Sequence, residues 1–384
     1  MNRFIQKTEI YHGFNSIESL RNIDKKRIFI VTDESMVKLG MLTKITFILD
    51  SLNIDWSFFQ EVKPDPSLDI VKKGLQLMID FKPDAIIGLG GGSSLDTSKG
   101  ILYYYMKTLN TLIYNEKIHK PYLIAVPTTS GSGSEVTAYS VITDTEKDIK
   151  IPLVDENMIP DMAILDSQFT MSVPQKITAD TGLDVLTHAI EAYVSRNATN
   201  FTDSYAEKAI KMVFKYLLRA YGNGDDKEAR EKMHDASCMA GIAFTNGGLG
   251  LNHSIAHGIG AKLHIPHGRA NAILLPYVIE FNSGIGGDLK EETGEKYREI
   301  SEILGFPHST IEEGIRSLIV AINVLKENLN IPLTLKDAGT DKSLFEKEKD
   351  NIVRNVMKDF CLPANPIEVS EKDVYSILEK IGGY

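Results

Sequence analysis

Cysteine is scarce in this 384-residue sequence, which contains only two, Cys238 and Cys361. Two isolated thiols cannot build a disulfide framework or a site in which several thiolates bind a metal. We interpret both as small hydrophobic residues of the core. Any metal ion bound by this chain must therefore use histidine, aspartate or glutamate.

Long apolar segments are also lacking. No run of apolar residues approaches the roughly 18 that suggest a membrane span. The first ten residues, MNRFIQKTEI, contain no apolar core of a secretory signal. We therefore expect a soluble cytoplasmic protein without a membrane anchor. The composition, 43% hydrophobic and 24% charged, is that of a globular chain long enough to bury a core.

An excess of positive charge is absent too, since 42 Lys and Arg face 52 Asp and Glu, for a formal net charge of -10. Nucleic-acid binding relies on clustered Lys and Arg that neutralise phosphates, so this balance argues against a nucleic-acid partner. The longest charged runs, DDKEAREK at 225–232 and KEKD at 347–350, mix both signs and are typical of solvated helix faces.

The first 170 residues alternate between short β-rich runs and helix-like stretches. The β-rich runs are RIFIVTD, DWSFFQEV, DAIIGLG, YLIAVPTT and MAILD. Such alternation predicts βαβ units and a parallel sheet. The apolar residues Phe4, Ile5 and Ile10 are expected to begin a further strand of this sheet.

After about Val173 the pattern changes to long helical periods without β-rich runs between them. Consecutive helices of this kind predict a separate all-α domain. Ser172, Val173 and Pro174 interrupt the pattern. We therefore predict an α/β dinucleotide-binding domain at residues 1–174 and an all-α metal-binding domain at residues 175–384.

A glycine-rich segment, DAIIGLGGGSSLDTSKGI, leads from a β-rich run into a helix-like stretch. Its glycines let the backbone approach an anion, and the free N–H groups of a helix N-terminus attract phosphate. The spacing is not that of a Rossmann G-x-G-x-x-G, so a plain tight turn is an equal alternative. A second loop, PTTSGSGSEVT at 127–137, offers hydroxyls that could bind phosphate or only cap. These hydroxyls belong to Thr128, Thr129, Ser130 and Ser132.

Asp33 follows the apolar run IFIV, with Thr32 between them. An acidic residue after a strand can accept hydrogen bonds from an adenosine ribose and repels a 2′-phosphate, which favours NAD over NADP. The alternative is an N-cap for a helix that begins at Glu34. The local sequence does not decide between the two.

Asp184 and His188 lie at positions i and i+4 of TADTGLDVLTHAIEAYVS, so a helix places both on one face, among apolar neighbours. A buried Asp and His need either a metal ion or each other as a partner. His253 and His257 repeat the spacing, and His267 follows a proline that should end their helix. One Asp and two or three His suit Fe(II) or Zn(II), although a cluster of histidines is also compatible with core and capping roles.

Four motifs together resemble the iron-containing (group III) alcohol dehydrogenases, a family with the dehydroquinate-synthase-like fold. The motifs are GGGSSLDTSKG, PTTSGSGSEVT, TGLDVLTHAIEAYVS and GLNHSIAHGIGAKLHIPHGRANAILLPY, in family order across essentially the whole chain. The resemblance implies that the metal ligands are Asp184, His188, His253 and His267. It also implies that His257 lies beside the nicotinamide, where it passes a proton or positions the substrate, and that His264 is not a ligand.

The same resemblance assigns residues of the first domain to a bound dinucleotide. The implied cofactor-binding residues are Asp33, Asp65, Gly91, Gly92, Ser93, Thr128, Thr129, Ser132 and Lys150. Asp96 is expected to be a helix-terminal or cofactor-side residue rather than an acid–base group. Asp180 departs from the Ala or Asn that is usual in the family, so it either alters metal affinity or caps the ligand-bearing helix.

The function implied by the resemblance is an NAD(H)-dependent alcohol dehydrogenase that interconverts a short-chain primary alcohol and its aldehyde. Its implied metal is Fe(II), with Zn(II) as the alternative. The stretches IPDMAILD, REKMHDAS and GGLGLNHSIAH are most similar to 1-propanol dehydrogenases of propanediol utilisation, which suggests propanal and 1-propanol as substrates. A homodimer is a further expectation from that similarity. The similarity also raises association with a bacterial microcompartment shell as an alternative, although Phe4, Ile5 and Ile10 are expected to begin a strand rather than to form an added extension.

Three alternatives remain open. A zinc polyol dehydrogenase of the glycerol type shares the fold. A dehydroquinate synthase also shares it, although GIGAKLHIPHGRANA offers only Lys262 and Arg269 to a phosphate-bearing acid. A non-catalytic NAD-binding or metal-binding sensor or scaffold predicts ligands without turnover, and the complete ligand set together with His257 argues against it.

Overall fold

The computed structural model describes residues 3–112, 119–145 and 149–384. The chain divides into two compact units, Ile5–Val173 and Pro174–Tyr384, and the second also includes Arg3 and Phe4. We call them the N-terminal unit and the C-terminal unit. Within the described ranges, every helix is too short or too polar to cross a membrane.

A parallel sheet is the centre of the N-terminal unit. The strands of this unit are, in chain order, β1 (Glu9–His12), β2 (Arg27–Val31), β3 (Asp55–Phe59), β4 (Ala85–Gly90), β5 (Tyr122–Pro127), β6 (Tyr139–Asp144), β7 (Ile149–Val154) and β8 (Met162–Leu165). Six of them pair in parallel in the order β1-β8-β5-β4-β2-β3, and β6 pairs with β7 as a separate antiparallel ribbon. Strand β4 is buried at every position, as expected where helices cover both faces. The predicted α/β fold is confirmed.

Helices cover this sheet on both faces. They are α1 (Glu34–Lys38), α2 (Met41–Ser51), α3 (Leu68–Phe81) and α4 (Gly92–Leu112). Ile28 and Ile30 of β2 pack in one core cluster with residues of α2. Phe29 and Val31 pack in another with residues of α3 and α4, because successive side chains of a strand point to opposite faces.

The first strand begins later than the sequence suggests. Strand β1 starts at Glu9, and the ring of Phe4 lies 5.6 Å from that of Phe201 and 5.9 Å from that of Tyr205, between centroids. Aromatic packing thus holds Phe4 within the C-terminal unit rather than in the sheet. The prediction is wrong for Phe4 and Ile5.

The C-terminal unit is helical, as predicted, and residues 174–384 contain no strand. Its helices are α5 (Gln175–Val194), α6 (Asn200–Gly222), α7 (Lys227–Gly247), α8 (Leu251–Leu263), α9 (His267–Ser283), α10 (Glu291–Leu304), α11 (Ile311–Asn328), α12 (Lys342–Val356) and α13 (Glu371–Gly382). Every residue of α5 from Gly182 to Val194 is buried, so this helix runs through the core. Its polar residues therefore need partners inside the protein.

Candidate metal centre

Helix α5 carries Asp184 and His188 one turn apart, and they are only 5% and 4% exposed. Burial raises the pKa of the Asp184 carboxyl, and the neighbouring His188 and a hydrogen bond from Asn271 act against that shift. An ionised carboxylate in this environment is costly unless a positive charge or hydrogen-bond donors face it. The site is therefore built to place a cation or donors beside Asp184.

His253 and His267 reach the same place from two consecutive helices. His253 lies in the first turn of α8, and His267 is the first residue of α9. Between them the backbone of His264 takes a left-handed conformation with a φ of 56° at the end of α8. This break lets the ring of His267 lie 5.3 Å from the ring of His253. His264 itself is exposed and is not part of the converging group.

The four predicted ligands converge in the structure. Asp184, His188, His253 and His267 each offer one ligand atom, and these atoms all lie within 4.8 Å of one another. Oδ1 of Asp184 is 3.7 Å from Nε2 of His253 and 3.7 Å from Nε2 of His267. One carboxylate with imidazole nitrogens is a donor set that suits Zn(II) and Fe(II).

Asn271 faces the same point, and sequence reasoning missed it. Its Nδ2 donates to Oδ1 of Asp184 at 2.7 Å and lies 3.1 Å from Nε2 of His253 and 3.2 Å from Nε2 of His267. An amide nitrogen has two protons, so beside Asp184 it can donate to one of these Nε2 atoms, and a neutral ring nitrogen that accepts is the form that binds a metal. Because Asn271 follows His267 by four residues on α9, helical spacing is the pattern that points to it.

Glu191 is a second residue that sequence reasoning missed. It lies on α5, three residues beyond His188. Its Oε2 is hydrogen-bonded to Nδ1 of His253, and its Oε1 accepts from the backbone N of Asn252 at 2.8 Å. Burial raises the pKa of Glu191 to about 8. Burial and the surrounding histidines hold the pKa of His253 well below its usual value, so His253 is neutral, the form in which an imidazole binds a metal.

His257 lies beside the converging group and pairs with a carboxylate. Its Nδ1 is 2.9 Å from Oδ2 of Asp359, and its ring stacks on His267 with centroids 5.3 Å apart. Oδ1 of Asp359 accepts from Ser254 Oγ at 3.1 Å and from the backbone N of Cys361 at 2.9 Å. Burial opposes ionisation of Asp359, but the hydrogen bond and charge of His257 outweigh it and lower the pKa of this carboxyl. Asp359 is thus an ionised partner that orients the imidazole.

His257, Asp359 and Cys361 form a second group of close ligand atoms. Burial, followed by the charge of Asp359, raises the pKa of the Cys361 thiol well above its usual value. A protonated thiol is a poor metal ligand, because the thiolate is the binding form. Cys361 and Cys238 are both buried and neither forms a disulfide, in keeping with a core role.

Residues predicted to bind a dinucleotide lie after neighbouring strands of the sheet. Gly91, Gly92 and Ser93 follow β4 and open α4, whereas Thr128, Thr129 and Ser132 follow β5. The two loops are side by side: the backbone N of Thr128 donates to the carbonyl of Gly90 at 3.0 Å, and a Cβ on Gly91 would lie 3.3 Å from Oγ1 of Thr129. A helix N-terminus at the carboxyl edge of a parallel sheet is a typical place for a phosphate.

Asp33 is the N-cap of α1, which was one of its two predicted roles. Its Oδ1 accepts from the backbone N of Ser35 at 2.8 Å and of Met36 at 3.3 Å. Its Oδ2 accepts from Oγ of Ser94 at 3.3 Å, so the carboxylate also borders the glycine turn after β4. Capping by one oxygen and ribose binding by the other are compatible.

Asp65 and Lys150 are brought together as an ion pair. The side chain of Asp65 is 69% exposed and that of Lys150 is 34% exposed. The backbone N of Thr143, in β6, donates to the carbonyl of Pro66 at 2.8 Å, which holds this loop against the β6-β7 ribbon. The pair is open to solvent and hence accessible to a ligand.

The loop after β5 is tied to α4 by Lys99, a buried residue that sequence reasoning missed. The Nζ atom of Lys99 donates to hydroxyl and carbonyl oxygens of Ser134 and Thr137 and to the carbonyl of Tyr139. Asp96, one turn earlier, accepts from Oγ of Ser134 at 2.9 Å. Burial is the main cause that raises the pKa of Asp96. Asp96 is therefore a buried structural partner of this loop.

Comparisons with known proteins cover the whole chain. Residues 7–167 match the model of the iron-containing alcohol dehydrogenases, and residues 178–382 match that of the C-terminal region of the Fe-containing alcohol dehydrogenase family. The NADPH-dependent butanol dehydrogenase of Clostridium saccharobutylicum is 41% identical, over 99% of this chain and 97% of that protein. The 1-propanol dehydrogenase PduQ of Salmonella typhimurium is 39% identical, over 99% of this chain and 100% of that protein.

Longer relatives and solved structures point to the same family of alcohol dehydrogenases. The aldehyde-alcohol dehydrogenase of Streptococcus pneumoniae is 40% identical over 94% of this chain. The match spans 43% of the length of that longer protein. The iron-containing alcohol dehydrogenase of Thermococcus thioreducens superposes with a TM-score of 0.89 at 31% identity, over 99% of each chain. Sulfoacetaldehyde reductase of Bifidobacterium kashiwanohense, solved in complex with NAD+, superposes with a TM-score of 0.86 at 28% identity, over 99% of this chain and 98% of that one. The chain therefore belongs to the iron-containing alcohol dehydrogenase family, and it is an oxidoreductase of that family.

Proposed function

We propose that this protein is a metal-dependent, NAD(H)-dependent alcohol dehydrogenase that interconverts a short-chain primary alcohol and its aldehyde. The observation that carries the proposal is the convergence of Asp184, His188, His253 and His267 in one buried group. The first substrate pair to test is 1-propanol and propanal, because a 1-propanol dehydrogenase is among the full-length relatives.

The four converging residues are the proposed metal ligands. We favour Fe(II), with Zn(II) as the alternative, because the nitrogen and oxygen donors suit both ions. When bound, a divalent cation supplies a Lewis acid that polarises the C–O group of the substrate. Glu191 holds His253 with its Nε2 toward the other ligands. Such outer partners orient a ligand and fix its tautomer.

His257 is the proposed catalytic residue. Reduction of an aldehyde takes a hydride from NADH at the carbonyl carbon and a proton at the oxygen, and oxidation of the alcohol reverses both transfers. Asp359 holds Nδ1 of His257, which leaves the other ring nitrogen to pass that proton, directly or through water, or to position the substrate. The side chain of His257 is 23% exposed, so it is accessible to water.

The proposed dinucleotide site is formed by the loops after β2, β4 and β5. The backbone of Gly91, Gly92 and Ser93 at the start of α4 suits a pyrophosphate. The hydroxyls that line the neighbouring loop are those of Thr128, Thr129 and Ser132. Asp33 accepts from the ribose and repels a 2′-phosphate, whereas Asp65 and Lys150 contact the dinucleotide from the β6-β7 side.

The choice of NAD over NADP rests on the Asp33 carboxylate. Relatives differ on this point, since the butanol dehydrogenase is named as NADPH-dependent and the sulfoacetaldehyde reductase was solved with NAD+. A fixed negative charge at the ribose favours the dinucleotide without the additional phosphate. We therefore propose NAD(H).

The proposal also includes a cytoplasmic homodimer, with association to a microcompartment shell as its most specific part. The similarity to the propanol dehydrogenase PduQ supports these parts. Sedimentation analysis measures the oligomeric state, and co-sedimentation with purified shell protein measures the association.

Steady-state kinetics test the proposed reaction. Protein purified without oxygen is assayed with NADH and an aldehyde series that includes propanal, with and without added Fe(II) or Zn(II). We expect metal-dependent oxidation of NADH with propanal among the preferred substrates, and loss of turnover in Asp184→Ala. Full activity of the metal-free protein, or no turnover with any aldehyde at full metal loading, contradicts the proposal.

A further inference from the structure

An ion pair joins the two helices that carry Asp184 and His267. Arg269 donates from Nε to Oδ1 of Asp180 at 3.1 Å and from Nη2 to Oδ2 at 3.0 Å. This bidentate arrangement fixes both distance and orientation, unlike a single ionic contact. Asp180 lies one turn before Asp184 on α5, and Arg269 lies two residues after His267 on α9. The pair therefore acts where the two helices meet.

The backbones of the two helices touch at the same point. A Cβ on Gly268 would lie 2.3 Å from the carbonyl oxygen of Asp180 and 2.8 Å from its carbonyl carbon. No side chain fits there, because the first turn of α9 rests directly on the backbone of α5. The ion pair and the glycine thus set the separation of the helices immediately beside His267.

His267 is the proposed ligand that most needs such support. Its side chain is 42% exposed, against 8% for Asp184 and 1% for His253. It is also the first residue of its helix and follows the left-handed turn at His264, so its position depends on how α9 packs on α5. Asp180 and Arg269, in contrast, have side chains only 10% and 14% exposed, which makes their contact well shielded from solvent.

We propose that Asp180 and Arg269 are positioning residues of the metal centre, which hold His267 beside Asp184 and thereby slow release of the metal ion. This inference rests on the proposed metal centre. Neither residue is one of the converging ligand residues. Both act through the packing of α9 on α5.

Charge and position predict different outcomes for the two single variants. Arg269→Met leaves an unpaired carboxylate near the centre, so an electrostatic effect alone would slow release of a cation. Asp180→Asn removes that carboxylate, so an electrostatic effect alone would speed release. A positioning role instead predicts faster release in both, because either substitution breaks the bidentate contact.

The test measures how fast an excess of a chromogenic chelator removes Zn(II) from the loaded protein. We expect about 10-fold faster release from D180N and R269M, the size typical of losing an outer partner of a ligand. The double variant D180N/R269M is expected to be no faster than the single variants, because both remove the same contact. R269K keeps the charge without the planar fork and should fall between R269M and the wild type.

A matched control is Arg298→Met. Arg298 forms a bidentate pair with Glu295 in α10 and is 20% exposed, so its loss tests whether any broken ion pair of this unit has the same effect. We expect wild-type release from R298M. Equal acceleration in R298M, wild-type release from both D180N and R269M, or slower release from R269M overturns the positioning role.

His267→Ala distinguishes a failure of the proposed metal centre from a failure of the positioning role. If H267A releases Zn(II) at the wild-type rate, His267 is not a ligand and the positioning role falls with it. If H267A loses the ion whereas D180N and R269M release it at the wild-type rate, only the positioning role is wrong. Thermal unfolding of the metal-free proteins identifies any variant that fails to fold, and R269K and D180N then carry the comparison.

Discussion

Nδ1 of His253 is hydrogen-bonded to Oε2 of Glu191, and the two residues are 1% and 4% exposed. The bond turns Nε2 of His253 toward the face that it shares with Asp184 and His267. A buried carboxyl group in this position fixes the ring orientation of a ligand.

Replacement of Glu191 by Ala is expected to weaken metal binding by about 10-fold to 100-fold, because His253 loses the group that orients it. The measurement is a competition titration of Zn(II) against a chelator of known affinity. Glu299→Ala is the control, since Glu299 of α10 accepts from the hydroxyl of Tyr193 on α5 at 2.8 Å and is not one of the converging residues. Wild-type affinity in the Glu191 variant would contradict the assigned role.

His257→Ala is expected to keep the metal and to lower kcat by about 100-fold, the lower range for loss of a group that transfers a proton. Asp359→Asn should lower kcat in the same direction by less, because His257 stays but loses its ionised partner. Metal content and kcat are measured on the same samples. His308→Ala is the control, since the ring of His308 lies 2.7 Å from the nearby Phe306 carbonyl and His308 is not one of the converging residues. Unchanged kcat in the His257 variant refutes its catalytic role.

Asp33→Ser is expected to lower the preference for NADH over NADPH by about 10-fold or more, which corresponds to about 1.4 kcal/mol. Serine still caps α1, so the substitution removes the charge with little loss of helix stability. The measurement is the ratio of kcat/KM for the two cofactors, with thermal unfolding as a check of the cap. An unchanged ratio of kcat/KM for the two cofactors shows that Asp33 does not contact the ribose.

Glu135 gives the N-terminal unit a predicted pH dependence. It is 1% exposed, and burial raises its pKa from 4.5 to about 7. Between these values the folded protein binds a proton that the unfolded chain releases, so the free energy of unfolding falls as pH rises toward 7. Glu135→Gln removes this penalty and should gain up to roughly 3 kcal/mol relative to wild type between about pH 5 and about pH 8.

The measurement for Glu135 is urea unfolding followed by the fluorescence of Trp56. This is the only tryptophan of the chain, and it lies in β3, so it reports on the N-terminal unit. Glu61→Gln is the control, since the side chain of Glu61 is 54% exposed and pairs with Lys73. If the difference in the free energy of unfolding between wild type and Glu135→Gln does not vary with pH, the pKa of Glu135 is not raised by burial.

The parallel sheet could be predicted because its central strands are distinctive. Strand β4 reads AIIGLG between a Lys-Pro-Asp turn and a glycine turn, which is a pattern for a fully buried strand. Strand β1 reads EIYH and pairs with β8 at one edge, so its short and partly polar sequence is a weak pattern. Phe4 and Ile5 have a higher mean β-propensity than the residues of β1, but the packing of Phe4 on Phe201 outweighs that propensity.

The candidate metal centre could be predicted only in part. The i, i+4 spacing points to Asp184 and His188, but their meeting with His253 and His267 depends on the packing of α5, α8 and α9. Glu191 and Asn271 lie at helical spacing from predicted ligands, and that spacing indicates them once the helices are known. Asp359 comes from an irregular segment after α12, where no local pattern marks it.

Metal content and turnover of Asp184→Ala, purified without oxygen beside the wild type, test the central claim most directly. The wild type is predicted to bind close to one Fe(II) or Zn(II) per chain and to reduce propanal with NADH. The Asp184 variant is predicted to lose both properties, because the ligand group loses its only carboxylate. Retention of the metal and of full turnover by the Asp184 variant would contradict the assignment of this centre.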